Sequence, residues 1–261
     1  MPDFFSPLTA LLGTLLAGAH ALATTIGLSG AADWVVAIAL LTCAVRLVLL
    51  PLAISGAKHA RAAAKAAPAM RELQAKYAGK RDQESIKAMM QERKAIQVEH
   101  GMSAAGCLPV LLQMPVFLSL YHLIMKVTDG KRVGALSNQA VGSAMAVSLF
   151  GVGLDSRLNA VSGTQFVVIL LIALVAGGAT WATQRCFNFS TPAEGDPMAG
   201  VLKVMPWLSL VGVVFGAFFV PAGLVLYWMF SNLWTLGQQA VLVRKYGQDA
   251  PLTSPMIPDN A

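Results

Sequence analysis

Long apolar runs separated by short polar stretches are the main pattern along this chain. The runs cover residues 34–54, 107–127, 166–183, 205–220 and 224–243. A helix of about 20 apolar residues is long enough to cross the hydrocarbon core of a bilayer. The pattern therefore predicts five transmembrane helices in an all-α polytopic membrane protein.

The first 30 residues form a separate segment with two different helix faces. One face carries Thr9, Gly13, His20 and Thr24, and the other carries Leu8, Leu12, Leu15, Ala19 and Leu22. This pattern predicts an amphipathic helix in the membrane interface. The alternative is an additional spanning helix, since the stretch is long enough to cross. No basic region precedes the apolar part, so a cleaved secretory signal is not predicted.

Residues 57–100 carry ten Lys and Arg against five Asp and Glu, the densest charge in the chain. Apolar residues at helical spacing on both sides of Gly79 predict a helical hairpin, with Asp82 as the N-cap of its second helix. We expect the methionines Met70, Met89 and Met90 to contact clients or partners, because methionine adapts to variable surfaces. A hairpin that is only solvated is the alternative.

The basic hairpin also predicts the orientation, because positive loops stay on the cytoplasmic side. Five spans then place the N-terminus outside and the C-terminus inside, with residues 128–163 outside. Residues 140–154 are apolar enough for an interfacial or re-entrant piece. A sixth span there would move the C-terminus to the outside. Only residues 221–223 separate the last two spans, which predicts that these two helices are antiparallel neighbours.

Arg46 lies in the middle of the apolar stretch LLTCAVRLVLLPL, residues 40–52. It is roughly 12 Å from the expected cytoplasmic end of its span, at about 1.5 Å per residue. An arginine at mid-helix costs about 2.5–3.5 kcal/mol on insertion scales, so it usually faces a partner or a wet cavity. Snorkelling or a structural ion pair is the alternative. Pro51 should kink the helix just beyond Arg46.

The five spans contain no Asp or Glu that could neutralise Arg46, but they do contain neutral polar residues. These are Thr42, Gln113, Ser231, Asn232, Thr235, Gln238 and Gln239. Such groups hold water or form interhelical hydrogen bonds. Together with the arginine they predict a hydrated, positively charged concavity between helices, suited to an acidic guest.

Composition agrees with a membrane protein and offers no enzyme chemistry. The chain is 56% hydrophobic and 12% charged, with a mean hydropathy of +0.63. Its three cysteines define no disulfide framework, and no zinc spacing, nucleotide-binding loop or catalytic triad is evident. We therefore predict no catalytic residue, metal, cofactor or nucleic-acid site.

Three stretches together resemble the YidC/Oxa-type membrane protein insertases. They are the Arg46 stretch, GCLPVLLQMPVFLSLYHLI at residues 106–124 and PAGLVLYWMFSNLWTLGQQ at residues 221–239. The resemblance implies an insertase core over residues 31–245 that encloses a hydrophilic groove open to the cytoplasm. It implies Arg46 as the charge of the groove, Thr42 and Tyr227 as client-contacting positions, and Gln113 and Asn232 as polar lining. Ser231 and Gln238 complete the candidate site.

The resemblance also implies a location and partners. We expect a multi-pass protein of the bacterial cytoplasmic membrane that inserts and helps to fold small nascent membrane proteins without ATP. Further expected partners are the Sec translocon and the ribosome, and the basic residues of the hairpin predict contact with anionic lipids. With about 30 residues before the first span, no large external domain is expected, and the short tail at residues 246–261 argues against tail-mediated ribosome binding. The alternative function is a small transporter or channel for an anionic solute.

Overall fold

A computed structural model describes residues 6–80, 82–101, 108–146, 148–187 and 199–246. Within these ranges the chain is almost entirely helical, with one small two-stranded ribbon. The helices are α1 (Ser6–Thr25), α2 (Ala31–Val48), α3 (Leu50–Lys76), α4 (Gln83–Glu99), α5 (Leu108–Thr128), α6 (Asn138–Ala146), α7 (Gly163–Phe187), α8 (Ala199–Gly216) and α9 (Ala222–Tyr246). The antiparallel strands are β1 (Ser148–Leu149) and β2 (Val152–Gly153), and a 3-10 turn follows at Leu158–Ala160.

The predicted first span, residues 34–54, is divided between two helices. The α2 helix ends at Val48, and α3 begins at Leu50 with Pro51 in its first turn. Proline has no backbone N–H and cannot continue the hydrogen-bond ladder of α2, although it fits the first turn of a new helix. The kink expected at Pro51 therefore takes the form of a one-residue interruption at Leu49, whose backbone stays in the right-handed helical region.

The α3 and α4 helices form the predicted hairpin. Asp82 caps α4, since the backbone N–H of Ser85 donates to its carboxylate at 2.8 Å. Ala66 and Leu73, two turns apart, are the buried positions of α3. Lys76 of α3 forms an ion pair with Glu92 of α4 at 2.6 Å, and the Tyr77 hydroxyl donates to the same carboxylate at 2.9 Å.

The α1 helix packs against α2 and α5. Thr9 and Gly13 are buried, whereas Leu11, Leu15 and Leu22 are 40–55% exposed. The first half of the predicted polar face therefore turns inward, whereas Thr24 is exposed; Leu12, expected on the opposite face, is also buried. The length and hydropathy of α1 fit a spanning helix.

The α7 helix is the centre of the second half of the fold, because it packs against both α8 and α9. Its buried residues are Ile169 and, further along the helix, the small residues Ala173, Ala176, Gly177 and Ala179. The α8 and α9 helices are joined by residues 217–221 and run in opposite directions. They face each other across a cavity but make few close contacts along their length, because both pack against α7.

The segment between α5 and α7 ties together the N-terminal ends of α2 and α9. The Trp34 indole N–H donates to the Ser143 hydroxyl of α6 at 3.2 Å, and the backbone N–H of Gly223 donates to the Leu154 carbonyl at 2.9 Å. The two helices therefore start on the same side of the protein and run in parallel. The predicted interfacial or re-entrant piece at residues 140–154 contains most of α6 and the β-ribbon, and both elements are too short to cross a membrane.

Three helices of the described chain, α1, α2 and α7, are long and apolar enough to cross a membrane, and α5 and α8 contain shorter apolar parts, Met114–Thr128 and Lys203–Gly216. The α9 helix has sufficient length but lower hydropathy, because polar residues interrupt its apolar sequence. Outward-facing residues of α8, among them Trp207, Leu208 and Phe215, are about 60% exposed. Such a surface is typical of a helix that faces lipid.

Candidate functional site

Arg46 lies in the last turn of α2 and reaches across to α9. Its Nη2 donates to the Ser231 carbonyl oxygen at 3.3 Å and also to the Ser231 hydroxyl oxygen. The Thr235 hydroxyl donates to the same carbonyl at 2.9 Å. None of the ion pairs found in the described part of the chain includes Arg46. Within this part of the chain, its positive charge is therefore oriented by neutral oxygens and is not cancelled by a carboxylate.

Thr42 and Tyr227 lie one helical turn before Arg46 and Ser231, respectively. Thr42 is 1% exposed, and its hydroxyl donates to the Ile38 carbonyl of its own helix at 2.7 Å. Tyr227 is 3% exposed within the hydrophobic core. Both side chains therefore lie inside the contact between α2 and α9, and neither forms an open surface.

Asn232 follows Ser231 but points to a different side of α9, since successive residues on a helix differ by about 100°. Its side-chain amide donates to the Ala176 carbonyl of α7 at 3.2 Å. It also lines an open cavity of about 420 Å³ between α7, α8 and α9, which we call the polar cavity. The lining residues are Thr180, Ser209, Gly212, Val213, Trp228 and Asn232.

The polar character of this cavity continues beside Ser209. The side-chain amide of Gln184 donates to the Ser209 hydroxyl at 2.8 Å. Near it, the buried Trp181 indole N–H and the Gln184 side-chain oxygen have no hydrogen-bond partner among the described residues. Buried polar groups usually bind protein or water, so this region is suited to hold water.

The other candidate residues are placed as follows. Gln238 accepts a hydrogen bond from the Trp234 indole N–H at 2.8 Å, one turn away on α9. Gln113 belongs to α5, but its side chain lies outside the described part. In the hairpin, Met90 is 63% exposed, while Met70 and Met89 are half-buried.

Arg46 and Ser231 are thus brought into direct contact, with Thr42 and Tyr227 packed beside them, while Asn232 belongs to the polar cavity. Sequence reasoning did not select Thr180, Gln184, Ser209 or Trp228. A signal was available in α7, where Thr180 and Gln184 are polar residues four apart in an apolar run. It does not identify their partners, because α8 and α9 come later in the chain.

The fold and this charged, polar interior define an all-α polytopic membrane protein. The family model of the 60Kd inner membrane protein matches residues 26–249. The chain belongs to this family, which confirms the resemblance to YidC/Oxa-type proteins.

Relatives of this chain carry names that describe a function. "Membrane protein insertase YidC" of Streptomyces avermitilis is 28% identical over 225 residues, covering 81% of this chain and 51% of the relative. "Membrane protein insertase MisCA" of Bacillus subtilis is 31% identical over 202 residues, which cover 77% of this chain and 67% of the relative. "Membrane protein insertase YidC" of Mycobacterium tuberculosis is 28% identical over 247 residues, which cover 83% of this chain and 66% of the relative. The chain thus spans about half to two thirds of the length of these relatives.

Proposed function

We propose that this protein inserts small membrane proteins into the bacterial cytoplasmic membrane and helps them to fold. The names of its relatives support this class of function. The observation that carries the proposal is Arg46, a cation in an apolar helix that has neutral oxygen partners and no carboxylate among the described residues. A positive charge in this state can receive an acidic group that lipid would reject.

The proposed groove uses α9 as its floor. Ser231, which binds Arg46, and Asn232, which lines the polar cavity, are adjacent residues. A client segment on α9 would therefore meet the positive charge on one side and neutral polar groups on the other. Gln113 and Gln238 remain proposed parts of the lining. The buried Thr42 and Tyr227 would support Arg46 by packing α2 against α9.

The mechanism follows from charge and hydration. A client enters from the cytoplasm, and its short acidic N-terminal segment exchanges bulk water for groove water and Arg46. At about 4 Å and an effective dielectric near 20, one carboxylate would gain about 4 kcal/mol before desolvation. That gain is comparable to the cost of placing one acid in lipid. Burial of the apolar client helix then drives insertion, so the proposal includes neither ATP nor enzymatic catalysis.

In the proposed topology, the α3–α4 hairpin and the C-terminus lie in the cytoplasm, and the region around α6 lies outside. The insertase core comprises residues 31–245, with residues 1–30 as an N-terminal segment and residues 246–261 as a tail. If α1 crosses the membrane instead of lying in the interface, the N-terminus moves to the cytoplasm and the C-terminus stays there.

The proposed partners are nascent membrane proteins, the Sec translocon, the ribosome and anionic lipids. Within the hairpin, the exposed Met90 is the methionine best placed for a partner contact, because its side chain is open to solvent. Met70 and Met89 would contribute only their exposed edges.

The decisive experiment is insertion of a purified single-span client with an acidic N-terminal tail into proteoliposomes. Arg46→Ala is expected to reduce the insertion rate at least tenfold, the factor that corresponds to about 1.4 kcal/mol. Arg46→Lys should restore part of the rate, because lysine keeps the positive charge but lacks the planar guanidinium group with its several N–H donors. The matched control is Arg185→Ala, which removes an exposed arginine at the end of α7.

Insertion that is unchanged in Arg46→Ala would refute the role of the charge. Saturable flux of a small anion that depends on Arg46, without client insertion by the native chain, would favour a transporter instead.

A further inference from the structure

The charge of the α3–α4 hairpin is concentrated in its first part. Residues 50–71 contain four Lys and Arg and no Asp or Glu. Residues 72–100 contain six Lys and Arg against five Asp and Glu. The Lys76–Glu92 ion pair also belongs to this second, nearly neutral part. The excess positive charge therefore lies where α3 leaves α2, away from the tip of the hairpin at Gly79.

Three of these basic residues form a stripe along α3. Lys58, Arg61 and Lys65 lie within about 60° of one another around the helix, at 3.6 residues per turn. The stripe is turned roughly 110° from Ala66, which is fully buried. Lys58 and Lys65 are exposed. The small alanine side chains between the three residues leave the helix backbone close to whatever the stripe contacts.

The stripe begins close to the end of an apolar helix. Leu47 and Val48, the last residues of α2, are 55% and 77% exposed, as expected for side chains that face lipid. Lys58 follows Val48 by ten residues, or about 15 Å of helix. Because the helix is interrupted at Leu49, the axis of α3 need not continue that of α2. An α3 that runs at a shallow angle to the membrane would place all three cations at the headgroup layer.

We infer that Lys58, Arg61 and Lys65 form a binding surface for the headgroups of anionic phospholipids. Basic residues next to a membrane helix each contribute about 1 kcal/mol of attraction to an anionic surface. The position of the charge favours lipid over ribosomal RNA as the ligand, since the stripe begins only about 15 Å of helix beyond the exposed apolar end of α2. The contact would set the angle of the hairpin below the proposed groove.

The test measures lipid selectivity of the full chain in phosphatidylcholine liposomes that contain a trace of spin-labelled lipid. Electron paramagnetic resonance gives the fraction of label immobilised by the protein, for phosphatidylglycerol and for phosphatidylcholine. The native chain should prefer phosphatidylglycerol, and 1 M salt should weaken this preference. The triple variant Lys58→Gln, Arg61→Gln, Lys65→Gln should lose at least half of it.

The matched control is Lys87→Gln, Arg93→Gln, Lys94→Gln, which removes the same charge from α4 and should leave the selectivity unchanged. Equal losses in the two triple variants, or no loss in the α3 variant, would overturn the inference. The inference would also be overturned if the α3 variant kept its lipid selectivity but no longer cosedimented with added ribosomes. Circular dichroism checks that each variant is folded. No client is present, so this result is independent of the insertase proposal.

Discussion

The Arg46 guanidinium of α2 is bound to Ser231 of α9 through both the carbonyl and the hydroxyl oxygen of that residue. Two helices far apart in sequence are therefore joined by a cation and neutral acceptors. A neutral acceptor orients the guanidinium without cancelling its charge. A carboxylate at the same place would form an ion pair and leave little attraction for an acidic client.

The first prediction concerns the hydroxyl of Ser231. In Ser231→Ala, Arg46 keeps the carbonyl contact but loses one hydrogen bond to a charged group, a type of bond worth about 1.5–3 kcal/mol. The guanidinium should become less well oriented, and insertion of an acidic client should slow by about threefold to tenfold. Initial insertion rates in proteoliposomes measure this effect.

Thr183→Ala is the control for that prediction, since the Thr183 hydroxyl donates only to the Ala179 carbonyl of its own helix. A client with a neutral N-terminal segment should be slowed less than the acidic client by Ser231→Ala. If both clients slow equally, Ser231 acts through general packing and not through Arg46.

The α3–α4 hairpin should open in acid. Hydrogen bonds from Lys76 and Tyr77 lower the pKa of the Glu92 carboxyl below its ordinary value of 4.5. A carboxylate with a lowered pKa stabilises the folded form above its unfolded pKa, and this contribution is lost as the pH falls through the folded value. The helices should therefore separate as the pH falls below about 4.5. Fluorescence transfer between labels at the exposed positions Gln74 and Gln91 measures the separation.

Two variants make the hairpin measurement specific. Glu92→Gln should weaken the contact at neutral pH and remove most of the acid transition, because no carboxylate remains to be protonated there. Glu99→Gln removes another exposed carboxylate of α4 and should keep the transition. A transition that survives in Glu92→Gln would assign it to a different group.

The contact of α1 with the loop after α5 can be tested with two glycines of the same helix. A Cβ at Gly13 would lie 2.6 Å from the Val133 carbonyl oxygen, whereas nothing lies within 4 Å of a Cβ at Gly18. Gly13→Ala should destabilise the fold by about 1–3 kcal/mol, as overpacking does. Gly18→Ala should be neutral or stabilising by up to about 1 kcal/mol, since alanine favours helix. Thermal unfolding in detergent compares them, and equal melting temperatures would contradict this packing.

Local patterns in the sequence predicted where the helices form better than they predicted which helices pack together. The α4 cap at Asp82 and the effect of Pro51 depend on residues a few positions apart, so the sequence contains what determines them. The charge of Arg46 could also be read directly, as could the lack of an acid in the predicted spans, although α2 begins three residues earlier and includes the buried Asp33. The sequence could not show that Ser231 is the partner of Arg46, because 185 positions separate the two residues.

The arrangement of the last three helices shows the limit of the sequence reasoning. A short connection between α8 and α9 predicted direct neighbours, but it constrains only the ends of the two helices. The small residues Ala173, Ala176 and Gly177 let α7 pack against both. The polar cavity results from this arrangement, and residues from three different helices line it. Periodicity within one helix does not predict such a site.

The last prediction tests whether clients use the polar cavity. Gly212 lines it, and nothing lies within 4 Å of a Cβ at this position. Gly212→Leu would add an apolar side chain to the cavity without an initial clash, and would displace water from Ser209 and Asn232. We expect insertion of clients with a polar N-terminal segment to fall at least fivefold, about 1 kcal/mol, with little change in melting temperature.

Gly178→Leu is the matched control, because Gly178 of α7 also has open space at its Cβ but does not line the cavity. Insertion should continue in this variant at nearly the native rate. A Gly212→Leu variant that is folded and fully active would exclude the polar cavity from the client path. The proposed groove would then be restricted to the side of α9 where Arg46 binds Ser231.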